Sequence, residues 1–254
     1  MPVIRRIKRS LRPLFYRYFE YAHVVRTFEW SVISRWLKPA PGDLILDIGC
    51  GHGHFVRRLW RPGLRILGID LHENGIGIAR QYNNPDGCAF LRANAMSLPF
   101  AGERFDRVMS VCSFEHFSDD DRAIREANRV LKRQGTLVLS VDSFSYPGIS
   151  ESYRERCRKK HAVCQFYTNG ELRGKLERAG FSILNERCVI SSPLAALGYR
   201  LGTFFRWSGI DFMDPLLFIL LFPVSFLFEQ ILGLRLKEKG YILVMEARKV
   251  ACPS

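Results

Sequence analysis

The chain has 254 residues, of which 47% are hydrophobic and 25% charged; these proportions are typical of a globular protein and exclude a disordered one. Its 38 Lys and Arg residues outnumber its 25 Asp and Glu residues, so the net charge is +13. Such an excess attracts phosphates, nucleic acid or an anionic membrane surface, and by itself it does not choose among them.

The N-terminal region, residues 1–38, is basic and amphipathic. From Ile4 to Tyr21, apolar residues recur at steps of three and four, which predicts a helix that Pro13 kinks or divides. Basic side chains fill its other faces, so it can lie on an anionic bilayer or pack on the domain with a solvated face. It lacks the apolar core of a secretory signal peptide. Phe28–Leu37 predicts a further helix.

Strands and helices alternate along the next part of the chain. Five strands are predicted, over Leu44–Ile48, Arg65–Ile69, Phe90–Arg92, Arg107–Val111 and Thr136–Val141. Helices are predicted between them, over His54–Leu59, Glu73–Tyr82 and Asp119–Leu131. This alternation predicts an α/β fold with a doubly wound, mostly parallel Rossmann-like sheet. After a helix at Asn169–Ala179, the strands Phe181–Val189 and Tyr241–Glu246 complete seven strands, the last one antiparallel.

A second unusual segment is the apolar stretch Pro215–Leu234. Its core, Leu216–Phe228, carries no charge and is shorter than the roughly 20 residues of a spanning helix. It can lie on or dip into a membrane, pack as a core or dimer helix, or span the bilayer. A single crossing would separate Tyr241–Glu246 from its partner strands. We therefore expect residues 190–240 to form an apolar helical insertion before the last strand, which serves as a membrane-contacting lid on a domain made of residues 39–189 and 241–250.

The seven cysteines are scattered along the chain, with no C-x-x-C pair and no His–Cys cluster. This pattern favours reduced thiols in a cytosolic protein. It also lacks the ligand spacing of a structural zinc site, and we predict no metal.

The most informative motif is LILDIGCGHGHF, in which a predicted strand delivers Asp47 and three glycines follow at alternate positions, Gly49, Gly51 and Gly53. Glycine permits positive φ and close approach of a ligand to the backbone. The loop is at the carboxyl end of a parallel strand, where ligands bind in such sheets. The glycine spacing differs from the G-x-G-x-x-G fingerprint of dinucleotide-binding proteins, and no P-loop motif is present. Asp70, about 20 residues further on, has the position of an acid that binds ribose hydroxyls.

Together with three later motifs, this region resembles the class I S-adenosylmethionine-dependent methyltransferases, particularly the branch that modifies small molecules and lipids. The resemblance covers roughly residues 39–181. It is carried by the order and spacing of DIGCGHG (Asp47–Gly53), GIDL (Gly68–Leu71), RANAMSLPF (Arg92–Phe100), FDRVMSVCSFEHF (Phe105–Phe117) and RVLKRQGTLVLSV (Arg129–Val141). The resemblance implies S-adenosyl-L-methionine as the cofactor.

The residues that the resemblance implies for the cofactor follow four successive strands. The methionine end would be held by Asp47, Gly49, Cys50, Gly51 and Gly53, and bordered by Val111 and Cys112. The ribose would bind Asp70, and the adenine would meet Leu71, Asn94 and the backbone N–H of Ala95 or Met96. Asn94 stands where the family more often has Asp, and its side-chain carbonyl can still accept a hydrogen bond from the adenine amino group.

His116 is the candidate catalytic residue, in the loop after the fourth strand. Histidine can take a proton at neutral pH, which suits methylation of a phenol or hydroxyl. A structural role is the alternative. Many enzymes of this kind need no acid or base, because the sulfonium methyl is already electrophilic and the protein has mainly to position the acceptor and exclude water.

The two unusual segments predict a hydrophobic, membrane-resident acceptor: a lipid, an isoprenoid quinone or phenol, or a lipid-linked glycan. The apolar lid would admit the acceptor's tail while positive charge meets an anionic membrane surface. The protein would then be cytoplasmic and peripheral or monotopic. Alternatives are a methyltransferase for a soluble metabolite or RNA, and a noncatalytic subunit that binds the cofactor. A nucleic-acid acceptor is disfavoured, because Ser113–His116 differs from the Asn-Pro-Pro-Tyr-like motif of amino methylation. The sequence leaves the oligomeric state open.

Overall fold

A seven-stranded sheet forms the centre of the fold. The computed structural model describes residues 24–207, 220, 223, 224, 226, 227 and 238–250. Its helices and strands, in chain order, are α1 (Val24–Leu37), β1 (Leu44–Ile48), α2 (His54–Leu59), β2 (Arg65–Asp70), α3 (Glu73–Tyr82), β3 (Cys88–Arg92), β4 (Phe105–Val111), a 3₁₀ turn (Phe114–His116), α4 (Asp120–Val130), β5 (Leu131–Asp142), α5 (Glu151–His161), α6 (Asn169–Arg178), β6 (Phe181–Val189), α7 (Pro193–Trp207) and β7 (Ile242–Lys249).

The strand order confirms the predicted Rossmann-like α/β sheet. It runs β3-β2-β1-β4-β5-β7-β6, with β1 to β5 parallel and β7 antiparallel to both of its neighbours. The chain builds outward from β1 to β3 and then crosses back to β4. The carboxyl ends of β1 and β4 therefore flank the point where the strand order reverses, which is where ligands bind in sheets of this kind.

Two of the differences between the structure and the sequence prediction have identifiable reasons. β5 begins at Leu131 rather than Thr136, because Leu131 already pairs with Phe105 across a register shift. α5 lies in a segment for which no helix is predicted, because its composition is strongly polar and Cys157 is its one fully buried residue among those described. The Ser150 side chain caps α5 by accepting a hydrogen bond from the N–H of Tyr153 (3.3 Å).

The core forms on both faces of the sheet. One face is covered by α1, α2 and α3, and the other by α4 and α6. α1 also packs against β5, β7 and α7, which brings the start of the described chain to the last strands. Within the described residues no disulfide joins the cysteines.

The predicted membrane-contacting segments are described only in part. The predicted helix Ile4–Tyr21 lies outside the described residues, as does most of Pro215–Leu234. At the positions that are described, Leu220, Val224 and Leu227 are helical and exposed. No helix in the described part of the chain is both long enough and apolar enough to cross a membrane.

We expect alanine to have opposite effects at two glycines of the same region. At Gly68 on β2, a Cβ atom would lie 2.7 Å from Cδ1 of Phe90 and 2.9 Å from Sγ of Cys50, so Gly68→Ala should lower the free energy of unfolding by about 1–3 kcal/mol. At Gly77 in α3 a Cβ atom would meet nothing within 4 Å, so Gly77→Ala should raise it by up to about 1 kcal/mol. Urea unfolding measures both; a Gly68→Ala protein as stable as wild type would contradict this packing.

Candidate cofactor and acceptor site

A cavity of about 470 Å³ opens at the carboxyl ends of the central strands. It brings together residues that the sequence analysis drew from three separate motifs and from the loop after β4. The predicted site residues that line it are Gly49, Asp70, Leu71, Asn94, Ala95, Met96 and His116. The other predicted residues, Asp47, Cys50, Gly51, Gly53, Val111 and Cys112, are not among its described lining.

The glycine loop has the backbone conformation that its composition predicts. Gly49, Gly51 and Gly53 have φ angles of 76°, 52° and 77°, in the left-handed region that favours glycine. A Cβ atom on Gly49 would overlap Oγ of Ser113, which donates a hydrogen bond to the Gly49 carbonyl oxygen (3.2 Å). The ends of β1 and β4 therefore touch with no space for a side chain at Gly49.

Asp70 holds two segments of the cavity wall in place. One of its carboxylate oxygens accepts a hydrogen bond from the N–H of Gly51 (2.9 Å), and the other accepts one from the N–H of His72 (2.9 Å). Each carboxylate oxygen has a further lone pair, so both can still accept a hydrogen bond from a ribose hydroxyl. Leu71 follows directly and is 55% exposed, which offers an apolar surface beside that position.

Asn94 and Met96 form a closed turn in the same wall. The Asn94 side-chain oxygen accepts a hydrogen bond from the N–H of Met96 (2.9 Å). Two backbone N–H groups are predicted to donate to adenine. Since the N–H of Met96 already donates to Asn94, the N–H of Ala95 is the favoured donor. The oxygen of Asn94 keeps a second lone pair for an amino group.

Asp47 lies at the end of β1 and is 1% exposed. Its Oδ2 has no hydrogen-bond partner among the described residues. Burial, with a contribution from the charge of Asp70, raises the pKa of Asp47 to about 8. A buried, unpartnered carboxyl oxygen suits a ligand that brings positive charge, because such a charge would favour the ionised form.

Three of the other predicted residues are buried in the surrounding structure. Cys50 and Val111 are 6% and 8% exposed and belong to the core. Cys112 has a positive φ of 45°, and its thiol donates a hydrogen bond to Glu29 of α1 (3.0 Å). The side chain of Cys112 is therefore occupied in joining β4 to α1.

Glu29 is a residue that the sequence analysis missed. It is fully buried and accepts hydrogen bonds from Cys112 and from the Ser140 hydroxyl, while Arg26 pairs with its other oxygen (2.7 Å). The signal was present: Glu29 falls on the same helical face as Val32, Ile33 and Trp36. An acid on the apolar face of a helix needs polar partners in the core.

Two further missed acids, Glu115 and Asp142, lie close to Cys112. The Cys112 sulfur and one carboxyl oxygen of each acid are within 4.8 Å of one another. Glu115 is fully buried, and its Oε1 accepts a hydrogen bond from the backbone N–H of Asp142 (3.3 Å). Asp142 is half-buried.

His116 faces the cavity from the loop after β4. Its Nδ1 lies 3.2 Å from the carbonyl oxygen of Ala162, just past the end of α5. A carbonyl only accepts, so Nδ1 carries the proton and Nε2 keeps its lone pair. Desolvation by the surrounding protein lowers the pKa of His116, which favours the neutral ring.

Comparison with known proteins agrees with this geometry. Residues 46–139 match the family described as Methyltransferase domain. The ubiquinone biosynthesis O-methyltransferase of Azorhizobium caulinodans is 31% identical over 170 residues, which are 63% of this chain and 67% of that protein. The chain belongs to the class I S-adenosylmethionine-dependent methyltransferases.

One further relative and one solved structure are also similar to this chain. The fatty-acid O-methyltransferase of Mycolicibacterium smegmatis is 35% identical over 105 residues, which are 40% of this chain and 38% of that protein. A solved S-adenosylmethionine-dependent methyltransferase from Mesorhizobium loti has a TM-score of 0.62 at 22% identity, over 87% of this chain and 97% of that one. That likeness shows the fold.

S-adenosyl-L-methionine is the cofactor of the methyltransferase, and when bound it supplies an electrophilic methyl group. The residues present fit it: the glycine loop lets a ligand approach the backbone, and the unpartnered oxygen of Asp47 suits its positive charge. We assign the ribose to Asp70 and the adenine to Leu71, Asn94 and Ala95.

Alanine variants at two glycines can distinguish an effect on cofactor binding from an effect on stability, because alanine would strain the backbone similarly at both positions. Gly49→Ala and Gly63→Ala both place alanine at positive φ (76° and 88°), which costs about 1–2 kcal/mol. At Gly63 the nearest atom to a Cβ is 3.7 Å away, whereas at Gly49 the Cβ displaces Ser113. We expect S-adenosylmethionine binding, measured by calorimetry, to weaken at least about tenfold in Gly49→Ala and to remain in Gly63→Ala. Equal affinities would contradict the assigned role of the loop.

Proposed function

We propose that the methyltransferase is an O-methyltransferase that acts on a hydrophobic, membrane-resident acceptor: a lipid, an isoprenoid quinone or phenol, or a lipid-linked glycan. Two of its relatives support O-methylation of apolar compounds, since one is named for ubiquinone biosynthesis and the other for fatty acids. The protein would work as a peripheral or monotopic enzyme at the cytoplasmic surface of a membrane.

The observation that carries the membrane proposal is the apolar surface formed by Leu220, Val224 and Leu227. Leu220, Val224 and Leu227 are 62%, 49% and 58% exposed, and their spacing of four and three residues is that of one helical face. Phe226 is half-buried, and its ring stacks on Phe28 of α1 with centroids 5.7 Å apart. Phe226 therefore packs on the domain while an apolar face points outward.

Exposed apolar residues on α7 and basic residues on α5 also support contact with a membrane. On α7, Leu197 and Phe204 are seven residues apart and 49% and 60% exposed. On α5, Arg156, Lys159 and Lys160 are exposed and line a groove of about 490 Å³. Apolar contact and basic charge acting together bind an anionic membrane far better than either does alone.

The chain's own task in the transfer is positioning and exclusion of water. Asp70, the glycine loop and the turn at Asn94 fix the cofactor, and the end of α5 closes the cavity through the hydrogen bond between Ala162 and His116. His116 has the tautomer of a proton acceptor at Nε2, and its role as general base stays a prediction.

A methyl-transfer assay on separated fractions tests the acceptor class. The purified full chain is incubated with methyl-labelled S-adenosylmethionine and, separately, total lipid extract in mixed micelles, RNA, or aqueous metabolites. We expect label in the lipid fraction, and alkaline hydrolysis then distinguishes a labile methyl ester from a stable ether. Gly49→Ala, in which we expect weaker cofactor binding, is the control and should label the lipid fraction more slowly than wild type at limiting S-adenosylmethionine. Label confined to the RNA or aqueous fraction would refute the proposed acceptor.

Flotation with phosphatidylglycerol-containing vesicles tests the membrane surface. Replacing Leu220, Val224 and Leu227 by Ser should weaken vesicle binding at least about tenfold, because each buried aliphatic side chain contributes on the order of 1 kcal/mol. The matched control replaces three exposed aliphatic residues elsewhere, Leu91, Leu184 and Val250, by Ser and should bind as wild type. Equal losses in both variants, or none in either, would refute this surface.

A further inference from the structure

We propose that Asp142 accepts the proton of the acceptor hydroxyl during methyl transfer, held in place by Glu115. The inference rests on the proposed O-methylation and names the group that carries its proton-transfer step. It concerns the acid cluster at the ends of β4 and β5, defined as Glu29, Cys112, Glu115 and Asp142.

The topology places this acid cluster beside the cofactor cavity. β4 and β5 are parallel neighbours, with Val111 paired to Ser140, so Cys112 and Asp142 emerge at the same edge of the sheet. The chain then runs through Ser113 and His116, both of which line the cavity. Cys112 and Glu115 of the cluster are thus direct chain neighbours of Ser113 and His116, which line the cavity.

Exposure distinguishes the two neighbouring carboxyl groups. Glu115 is fully buried, and its Oε2 has no hydrogen-bond partner among the described residues. Asp142 is half-buried and is therefore the more accessible of the two, the one to which we assign contact with the acceptor. Glu115 fixes Asp142 through the backbone N–H of that residue (3.3 Å).

Electrostatics gives the two groups different protonation states. Two carboxyl groups this close do not both ionise readily. Burial, with the charge of Asp142 adding to it, raises the pKa of Glu115 well above its usual range, which favours the protonated form of Glu115. Burial also raises the pKa of Asp142 to about 7, with Arg26 opposing and Glu29 adding to the shift. A base whose pKa is near neutral is the kind that general base catalysis favours.

Among the described residues, titratable and charged groups from several elements act on Asp142 or on its neighbours in the cluster. They are Arg26 and Glu29 on α1, Cys112 at the end of β4, Glu115 in the 3₁₀ turn and Cys157 on α5. Arg26 is the one cation among these named groups, and it pairs with Glu29 (2.7 Å), so that its charge is shared with another acid.

The step balances with the groups named. The O–H bond of the acceptor breaks, and its proton goes to a carboxylate oxygen of Asp142. The acceptor oxygen uses the freed electron pair to bond the methyl carbon, and the carbon–sulfur bond breaks with its electron pair going to sulfur. The products are the methyl ether or ester, S-adenosylhomocysteine and protonated Asp142, which then releases its proton to water.

His116 is the competing proton acceptor. It lines the cavity, and desolvation lowers its pKa, which favours the neutral ring that can accept a proton. If Asp142 takes the proton, Asp142→Asn should lose activity; if His116 takes it, His116→Ala should lose activity instead. Measuring both variants therefore separates the two roles.

The test follows initial rates of label incorporation into total lipid extract in mixed micelles between pH 5.5 and 9. We expect the wild-type rate to rise with pH through a midpoint near 7, because Asp142 must be ionised to accept a proton. In Asp142→Asn the rate should fall at least about 100-fold and should no longer rise with pH through a midpoint near 7. Binding of S-adenosylmethionine should be unchanged. Formate should partly restore Asp142→Ala by replacing the missing carboxylate. Asp86→Asn, an exposed aspartate before β3, is the matched control and should keep the wild-type profile.

A second measurement needs no acceptor. Infrared difference spectra of wild type against Asp142→Asn follow ionisation of this carboxyl in the cofactor-bound protein. If the wild-type protein labels no fraction, the proposed function is refuted. The infrared spectra then still show whether the Asp142 carboxyl ionises near pH 7. Ionisation at the usual pH of an aspartate overturns the inference, as does loss of activity in His116→Ala with normal rates in Asp142→Asn.

Discussion

The contact between Gly49 and Ser113 is the constraint on which the site depends. Ser113 donates a hydrogen bond to the Gly49 carbonyl oxygen, and there is no space for a side chain between them. This contact closes the ends of β1 and β4 on one side and leaves the cavity open on the other. Asp70 then accepts a hydrogen bond from the N–H of Gly51, so the carboxylate to which we assign the ribose also holds the loop.

Buried acids set the local electrostatics of a protein whose net charge is +13. Asp47, Glu115 and Asp142 all lie at the carboxyl edge of the sheet, and burial raises the pKa of each. Acids in such surroundings favour a ligand that brings positive charge, or take up a proton in its absence. The overall basic charge acts at longer range, where it can attract an anionic surface without opposing these buried groups directly.

The sheet topology also constrains residues 190–240, the segment that we expect to form a lid. β7 lies between β5 and β6, so residues 190–240 leave one strand and return to its neighbour. The ring of Phe226 on Phe28 joins this segment to α1, and α1 in turn carries Glu29 to the acid cluster. A surface that we propose to meet the membrane is thereby connected, through one helix, to the group that we propose to take the proton.

The sequence by itself determined the elements whose signal is local. Apolar runs located β1, β2 and β4 because a buried strand needs contiguous apolar residues, and the glycines located the loop because only they adopt its backbone at low cost. α5 was missed, since a polar helix stabilised by its cap and one buried cysteine leaves no periodic pattern. Only the tertiary structure brought Glu29, Glu115 and Asp142 together, from α1, the loop after β4 and the end of β5. Their protonation depends on desolvation and on neighbours in space, and neither quantity can be read from spacing along the chain.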